Sequence, residues 1–195
     1  MTRIGKVERK TAETQLQCQW SLDEKGQFIG ETGIGFFDHM MVLLAKHSNT
    51  RIEIDGKGDL EVDSHHLIED LGIALGNCLV EALGEKRGIE RYGAFTCPMD
   101  EVLTQVNLDL SGRGYYVGNF ELKREKIGDF ETEMLREFLY AFAINGKMNL
   151  HVNVFYGINE HHIVESIFKA LGRALKTAIR IEEGNDEIPS TKGLL

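Results

Sequence analysis

One short stretch of this sequence occurs twice. His65-His66-Leu67-Ile68-Glu69 returns as His161-His162-Ile163-Val164-Glu165, 96 residues further on. The match continues at the same spacing: Ala74, Leu75, Gly76 and Leu79 face Ala170, Leu171, Gly172 and Leu175. With only seven histidines in the chain, a second His-His pair followed by Glu does not arise from composition. Upstream the likeness persists across a two-residue gap. His39 lies 26 residues before His65, Glu137 lies 24 before His161, and the Met40–Ala45 run faces Phe138–Ala143. A chain written twice has to fold into two similar halves.

Apolar spacing says what the halves contain. Residues 5–10 and 14–22 read as a hairpin, 37–47 as a helix, 50–56 as a strand and 64–83 as a longer helix. The order recurs with strands over 101–110 and 114–122, a helix over 130–145, a strand over 148–156 and a helix over 160–181. The expected fold is α/β in the α+β sense, with two pseudo-repeated half-domains over 1–92 and 93–187. Each is a small mixed or antiparallel sheet covered by two helices, and 188–195 form a C-terminal tail. No change of composition marks a linker, so the halves are expected to pack as one unit.

A chain of 195 residues can bury a substantial core. Its net charge of −9 disfavours nucleic acid and anionic membranes as partners, and an anionic small molecule would need a locally basic pocket. Cys18, Cys78 and Cys97 are odd in number and form no CxxC, and they read as reduced thiols of a cytoplasmic protein. The N-terminus has no apolar signal core, and no apolar run approaches the roughly 20 residues that span a bilayer.

The repeated motif carries the chemistry. Residues four apart share a helix face, so His65 and Glu69 can grip one cation, as can His161 and Glu165. His66 and His162 are turned by about 100° and aim elsewhere, which suggests two metals rather than one. Imidazole nitrogen with carboxylate oxygen suits Mn, Fe, Zn or Ni better than Mg or Ca. Pseudo-twofold pairing gives one metal His65, Glu69 and His162 with Glu137 as a possible fourth ligand. The other takes His161, Glu165 and His66 with His39 as the fourth. His151, in an alternating strand, reads as structural.

Several segments together resemble the imidazoleglycerol-phosphate dehydratases over essentially the whole chain. They are Gly35-Phe36-Phe37-Asp38-His39-Met40, Asp63-Ser64-His65-His66-Leu67-Ile68-Glu69-Asp70 and Asn159-Glu160-His161-His162-Ile163-Val164-Glu165. Pro189-Ser190-Thr191-Lys192-Gly193, Leu108-Asp109-Leu110-Ser111-Gly112-Arg113 and Arg91-Tyr92-Gly93 also fit. The resemblance implies a fold like that of the second domain of ribosomal protein S5. It implies a hydro-lyase of histidine biosynthesis that converts D-erythro-1-(imidazol-4-yl)glycerol 3-phosphate to 3-(imidazol-4-yl)-2-oxopropyl phosphate. It also implies two Mn(II) ions per active site and a homo-24-mer built from trimers, with sites at subunit interfaces. The implied ligands are His39, His65, His66, Glu69, His161, His162 and Glu165. Glu137 is a departure, since the family often has His there.

The resemblance also assigns substrate contacts. Glu13 matches a substrate-contacting glutamate and is expected to transfer a proton or to hold a substrate hydroxyl, alongside His65, Glu69, His161 and Glu165. Arg91, Arg113, Ser190, Thr191 and Lys192 are expected on the phosphate, and His39 and His47 near the substrate. The chemistry expected of such a site is a metal-stabilised imidazolate that expels the neighbouring hydroxyl, followed by loss of a C–H proton and tautomerisation. Two rival readings share the same donors: a two-metal phosphoester hydrolase, and a non-catalytic cage assembled by metal.

Overall fold

Thr14, Leu16, Cys18 and Trp20 alternate with polar residues, and all four are buried. Val102, Thr104, Val106 and Leu108 fill the matching buried positions 88 residues later. A period of two with one apolar face makes a strand packed on one side only. In the computed structural model, which describes residues 2–195, these are the second strands of two matching sheets.

The first half runs β1 (Ile4–Lys10), β2 (Thr14–Ser21), β3 (Gln27–Gly30), α1 (Gly35–Ser48), β4 (Arg51–Gly58) and α2 (His65–Leu83). The second runs β5 (Tyr92–Met99), β6 (Val102–Asp109), β7 (Tyr115–Asn119), a small hairpin of β8 (Lys126–Ile127) and β9 (Phe130–Glu131), α3 (Met134–Asn145), β10 (Asn149–Tyr156) and α4 (Glu160–Ala178). The sheet orders are β1-β2-β4-β3 and β5-β6-β10-β7. In each the first three strands are antiparallel neighbours and the last pairs in parallel.

Three elements differ from the sequence reading. β5 is the true counterpart of β1, so the second hairpin is 92–99 with 102–109, not 101–110 with 114–122. Pro98 and Gly93 hide it, yet both are tolerated because β5 is an edge strand. The short β3 and the β8–β9 hairpin were also not anticipated, and the hairpin delays the start of α3 to Met134.

Helices pack across the halves: α2 lies on β1 and β2 and against α3, while α4 lies on β5 and β6 and against α1. One core results, not two. Trp20 stacks on Phe142 at 5.8 Å, and Phe37 meets Phe130, Phe138 and Phe168 at 5.1–6.3 Å. The two helix pairs touch at equivalent glycines. A Cβ on Gly172 would lie 2.8 Å from His47 Cβ and 2.9 Å from Ser48 N, and one on Gly76 would lie 2.6 Å from Gly146 N. α3 therefore sits against α2 as α1 sits against α4, which makes Glu137 the spatial counterpart of His39.

The β8–β9 segment ties the helix N-termini together. Asp129 accepts the backbone N–H groups of Gly35 and Phe36 at 2.6 and 3.1 Å. Ser64, at the head of α2, donates to Glu131 at 2.9 Å. Glu160, the first residue of α4, accepts from the N–H groups of Lys123 and Arg124 at 2.7 and 2.9 Å. α1 has no side-chain cap from its own flank, so Asp129 supplies one from the other half. Asp129→Ala is expected to cost about 1 kcal/mol and lower the melting temperature by roughly 2–4 °C in a thermal scan. An unchanged scan would mean that water caps α1 equally well.

Candidate active site

Every histidine of the repeated motif sits in the first turn of its helix, because the motif itself starts α2 and α4. Asn159 caps α4 by accepting the N–H of His161 at 3.0 Å, and Asp63 accepts that of His65 at 2.8 Å. The neighbouring rings diverge as helix geometry requires. The His65 and His66 planes are 75° apart, and those of His161 and His162 are 88° apart.

Where α1 of the first half meets α4 of the second, His39 and His161 both direct Nε2 at Glu165 Oε1, at 2.8 and 3.3 Å, while Lys169 donates to Glu165 Oε2 at 2.7 Å. Burial disfavours ionised Glu165, but hydrogen bonds from Lys169 and His39 and the charge of Lys169 outweigh it and hold the carboxyl at about 2. The carboxylate is thus anionic at neutral pH. Phe36 packs edge-on against the His161 ring at 4.9 Å and restricts it. In the first half, His65 Nε2 lies 3.9 Å from Glu69 Oε2. Glu137 is half-buried in the first turn of α3. Among the described residues no group of three or more His, Cys, Asp or Glu side chains is arranged to enclose a metal ion. One chain presents two half-sets of donors.

Glu13 is exposed in the β1–β2 turn, and the turn beneath it is tightly held. Thr11 Oγ1 accepts the N–H groups of Glu13 and Thr14 at 3.1 and 2.9 Å. Buried Asp70 accepts from the Thr14 hydroxyl and from Arg9 Nε, the latter at 2.7 Å. His47, half-buried beside Gly172, has its pKa lowered by burial and then by Lys169, Arg173 and Lys46, so its ring is neutral at pH 7.

The anion-binding candidates meet elsewhere. Arg91, Arg113, Ser190, Thr191 and Lys192 line one cavity of about 650 Å³, together with the Ser111-Gly112 turn and Leu195. Arg91 is partly committed: Nε and Nη2 donate to Asp109 at 2.7 and 3.1 Å, and Nη1 donates to the Pro189 carbonyl at 2.7 Å. It thereby holds the tail in place and keeps two N–H donors. Arg113 and Lys192 make no side-chain hydrogen bond or ion pair among the described residues. This cavity lies at the C-terminal ends of the long helices, where the Arg91 N–H donates to the Ala178 carbonyl and buried Lys86 donates to the Leu110 carbonyl at 2.9 Å. The imidazoles lie at the N-terminal ends. The 19-residue α2 and α4 are each about 28 Å long. A three-carbon phosphate ester cannot bridge the two ends within one chain.

The family model described as Imidazoleglycerol-phosphate dehydratase matches residues 32–175. The protein of that name from Caldanaerobacter subterraneus subsp. tengcongensis is 50% identical over 193 residues, covering 99% of this chain and all of its own. That from Oceanobacillus iheyensis is also 50% identical over the same span. This chain belongs to the imidazoleglycerol-phosphate dehydratase family. It is a hydro-lyase of histidine biosynthesis. The crystal structure of the Staphylococcus aureus dehydratase superposes with a TM-score of 0.83 at 38% identity, over 92% of this chain and 99% of that one. The Pyrococcus furiosus dehydratase gives the same TM-score at 33% identity, over 97% and 100%. The mixed α/β fold of this dehydratase is therefore that of solved relatives. Among the described residues no helix is long and apolar enough to cross a membrane.

Two carboxylates beside the motif were not found from sequence. His66 Nδ1 donates to both oxygens of Asp59, at 3.0 and 3.2 Å, and His162 Nδ1 donates to Glu101 at 3.0 Å. The hydrogen bond to Asp59 raises the pKa of His66, and that to Glu101 raises the pKa of His162; the His162 bond leads the causes that hold Glu101 at about 2. Glu101 could have been found by aligning β2 with β6, but that register was hidden while β5 went unrecognised. His151 stands exposed on β10, paired in register with Asn107.

Proposed function

We propose that this dehydratase converts D-erythro-1-(imidazol-4-yl)glycerol 3-phosphate to 3-(imidazol-4-yl)-2-oxopropyl phosphate and water, using two Mn(II) ions per site. The observation that carries the reading is the pair of imidazole–carboxylate sets at equivalent helix starts, each with an anionic partner close by. Mixed nitrogen and oxygen donors suit Mn(II). His65, Glu69 and His162 with Glu137 would hold one ion, and His161, Glu165 and His66 with His39 the other. Glu137 belongs in the first set because α3 packs on α2 as α1 packs on α4, and its carboxylate adds a negative charge where the family often has a neutral imidazole. When bound, Mn(II) supplies Lewis acidity that lowers the cost of negative charge on the substrate's imidazole.

The chain's own groups do the rest. Arg113, Lys192 and Ser190, which line one cavity, would take the phosphate, and the uncommitted N–H groups of Arg91 would add to them. Glu13, on a turn held by hydrogen bonds to Thr11 and Asp70, would move the proton between carbon and the departing hydroxyl. Because the phosphate cavity and the imidazoles lie a helix length apart, the site is completed by other copies of the chain. A site shared between copies favours a homo-oligomer, which the family resemblance puts at 24 subunits built from trimers, and a cytoplasmic protein with reduced thiols is consistent with its buried free cysteines.

Purified protein stripped with a chelator should lose turnover and regain it with Mn(II), forming the ketone without releasing inorganic phosphate. Phosphate release would favour a hydrolase, and activity indifferent to metal would remove the two-ion reading. Analytical ultracentrifugation of the loaded protein should show one species near 24 times the chain mass.

A further inference from the structure

The two duplicated turns have diverged in a way that divides their labour. β2 and β6 are related by 88 residues, so Glu101 stands in the second half where Glu13 stands in the first. Glu101 is fully employed. One oxygen accepts His162 Nδ1–H at 3.0 Å, and the other accepts the Asn159 N–H at 2.7 Å. The Glu13 side chain has no hydrogen-bond partner among the described residues. Its post beside His66 has been taken by Asp59, from the loop after β4.

We propose that Asp59 and Glu101 are positioning residues that lock His66 and His162 with the proton on Nδ1 and the Nε2 lone pair facing a divalent cation, and that Asp59 thereby frees Glu13 to face substrate. A carboxylate only accepts, so the ring nitrogen against it is the donor, and the other nitrogen of a neutral imidazole then carries the lone pair. The same contact fixes the ring plane and raises its basicity. These are the two histidines that turn away from the Glu on their own helix. The other motif rings face the Glu of their own helix instead, His161 Nε2 at 3.3 Å from Glu165 and His65 Nε2 at 3.9 Å from Glu69. A ring reaching toward a cation shared with another copy has no such neighbour and needs an outside hold.

The inference rests on the two-Mn(II) reading above. The test is a titration of the assembled protein with Mn(II), following the free ion by electron paramagnetic resonance and the fold by circular dichroism. The wild type should bind two ions per chain. Asp59→Asn and Glu101→Gln keep shape and remove charge, and each should weaken one of the two ions by about 10-fold. Asp59→Ala and Glu101→Met remove the acceptor and should weaken it by about 100-fold. Wild-type affinity for both ions in folded variants overturns the assignment and leaves the two-ion reading intact. A wild type that takes up no Mn(II) overturns both. Should the larger changes prevent folding, the two amide variants decide alone.

Discussion

Glu13→Gln is expected to lower kcat by about 10²–10⁴-fold, the usual contribution of one positioned acid or base. The change swaps one oxygen for NH₂ on an exposed side chain, so its effect on the scaffold should be small. The turn beneath is held by Thr11, Thr14, Asp70 and Arg9, not by the Glu13 carboxylate. The variant should therefore melt like the wild type, bind the same number of Mn(II) ions and keep its KM within a few-fold. The loss should fall on kcat because the group acts in the transition state and not in substrate binding. Steady-state kinetics beside a metal count settles it. Full turnover with both ions bound would remove Glu13 from the chemistry and leave the proton to another group.

Gly93→Ala is expected to produce the largest loss of stability. Gly93 in β5 faces the carbonyl of Ala174 in α4, and a Cβ there would lie well inside van der Waals contact. Gly5 in β1 faces the carbonyl of Cys78 in α2 in the same way, as the repeat requires. The obstacle is backbone within a buried helix and has no rotamer through which to escape. Overpacking of this kind costs about 3 kcal/mol or more, which corresponds to a fall of roughly 6–12 °C in melting temperature, or to loss of soluble protein. Gly5→Ala should behave alike. A Gly93→Ala variant that melts with the wild type would mean that α4 can slide on β5, and the helix–sheet spacing described above would be wrong.

Much of the site was legible in the letters because its parts obey local rules. The spacing of His65 and Glu69, or of His161 and Glu165, is a property of any helix, and so is the divergence of adjacent rings. Pseudo-twofold pairing grouped His39 with Glu165 in one expected ligand set, and what the structure adds is a direct contact of 2.8 Å between the two side chains. Other features were hidden for physical reasons. β5 carries Gly93 and Pro98, which weaken the strand signal but are harmless at a sheet edge. β7 looked like a hairpin partner but runs parallel to β10, because the chain crosses over through α3.

By itself the sequence determined that there are two halves, which residue types each offers to a cation, and which family the chain belongs to; repetition and helical periodicity need no knowledge of distant contacts. Only the tertiary structure decided that both halves share one aromatic core, that Asp59 and not Glu13 holds His66, and that the cavity lined by Arg113 and Lys192 lies a helix length from the imidazoles. Those facts depend on how α1 and α3 dock across the halves onto α4 and α2. That docking is set by close packing at Gly76 and Gly172, between residues far apart in the chain, and no local pattern encodes it.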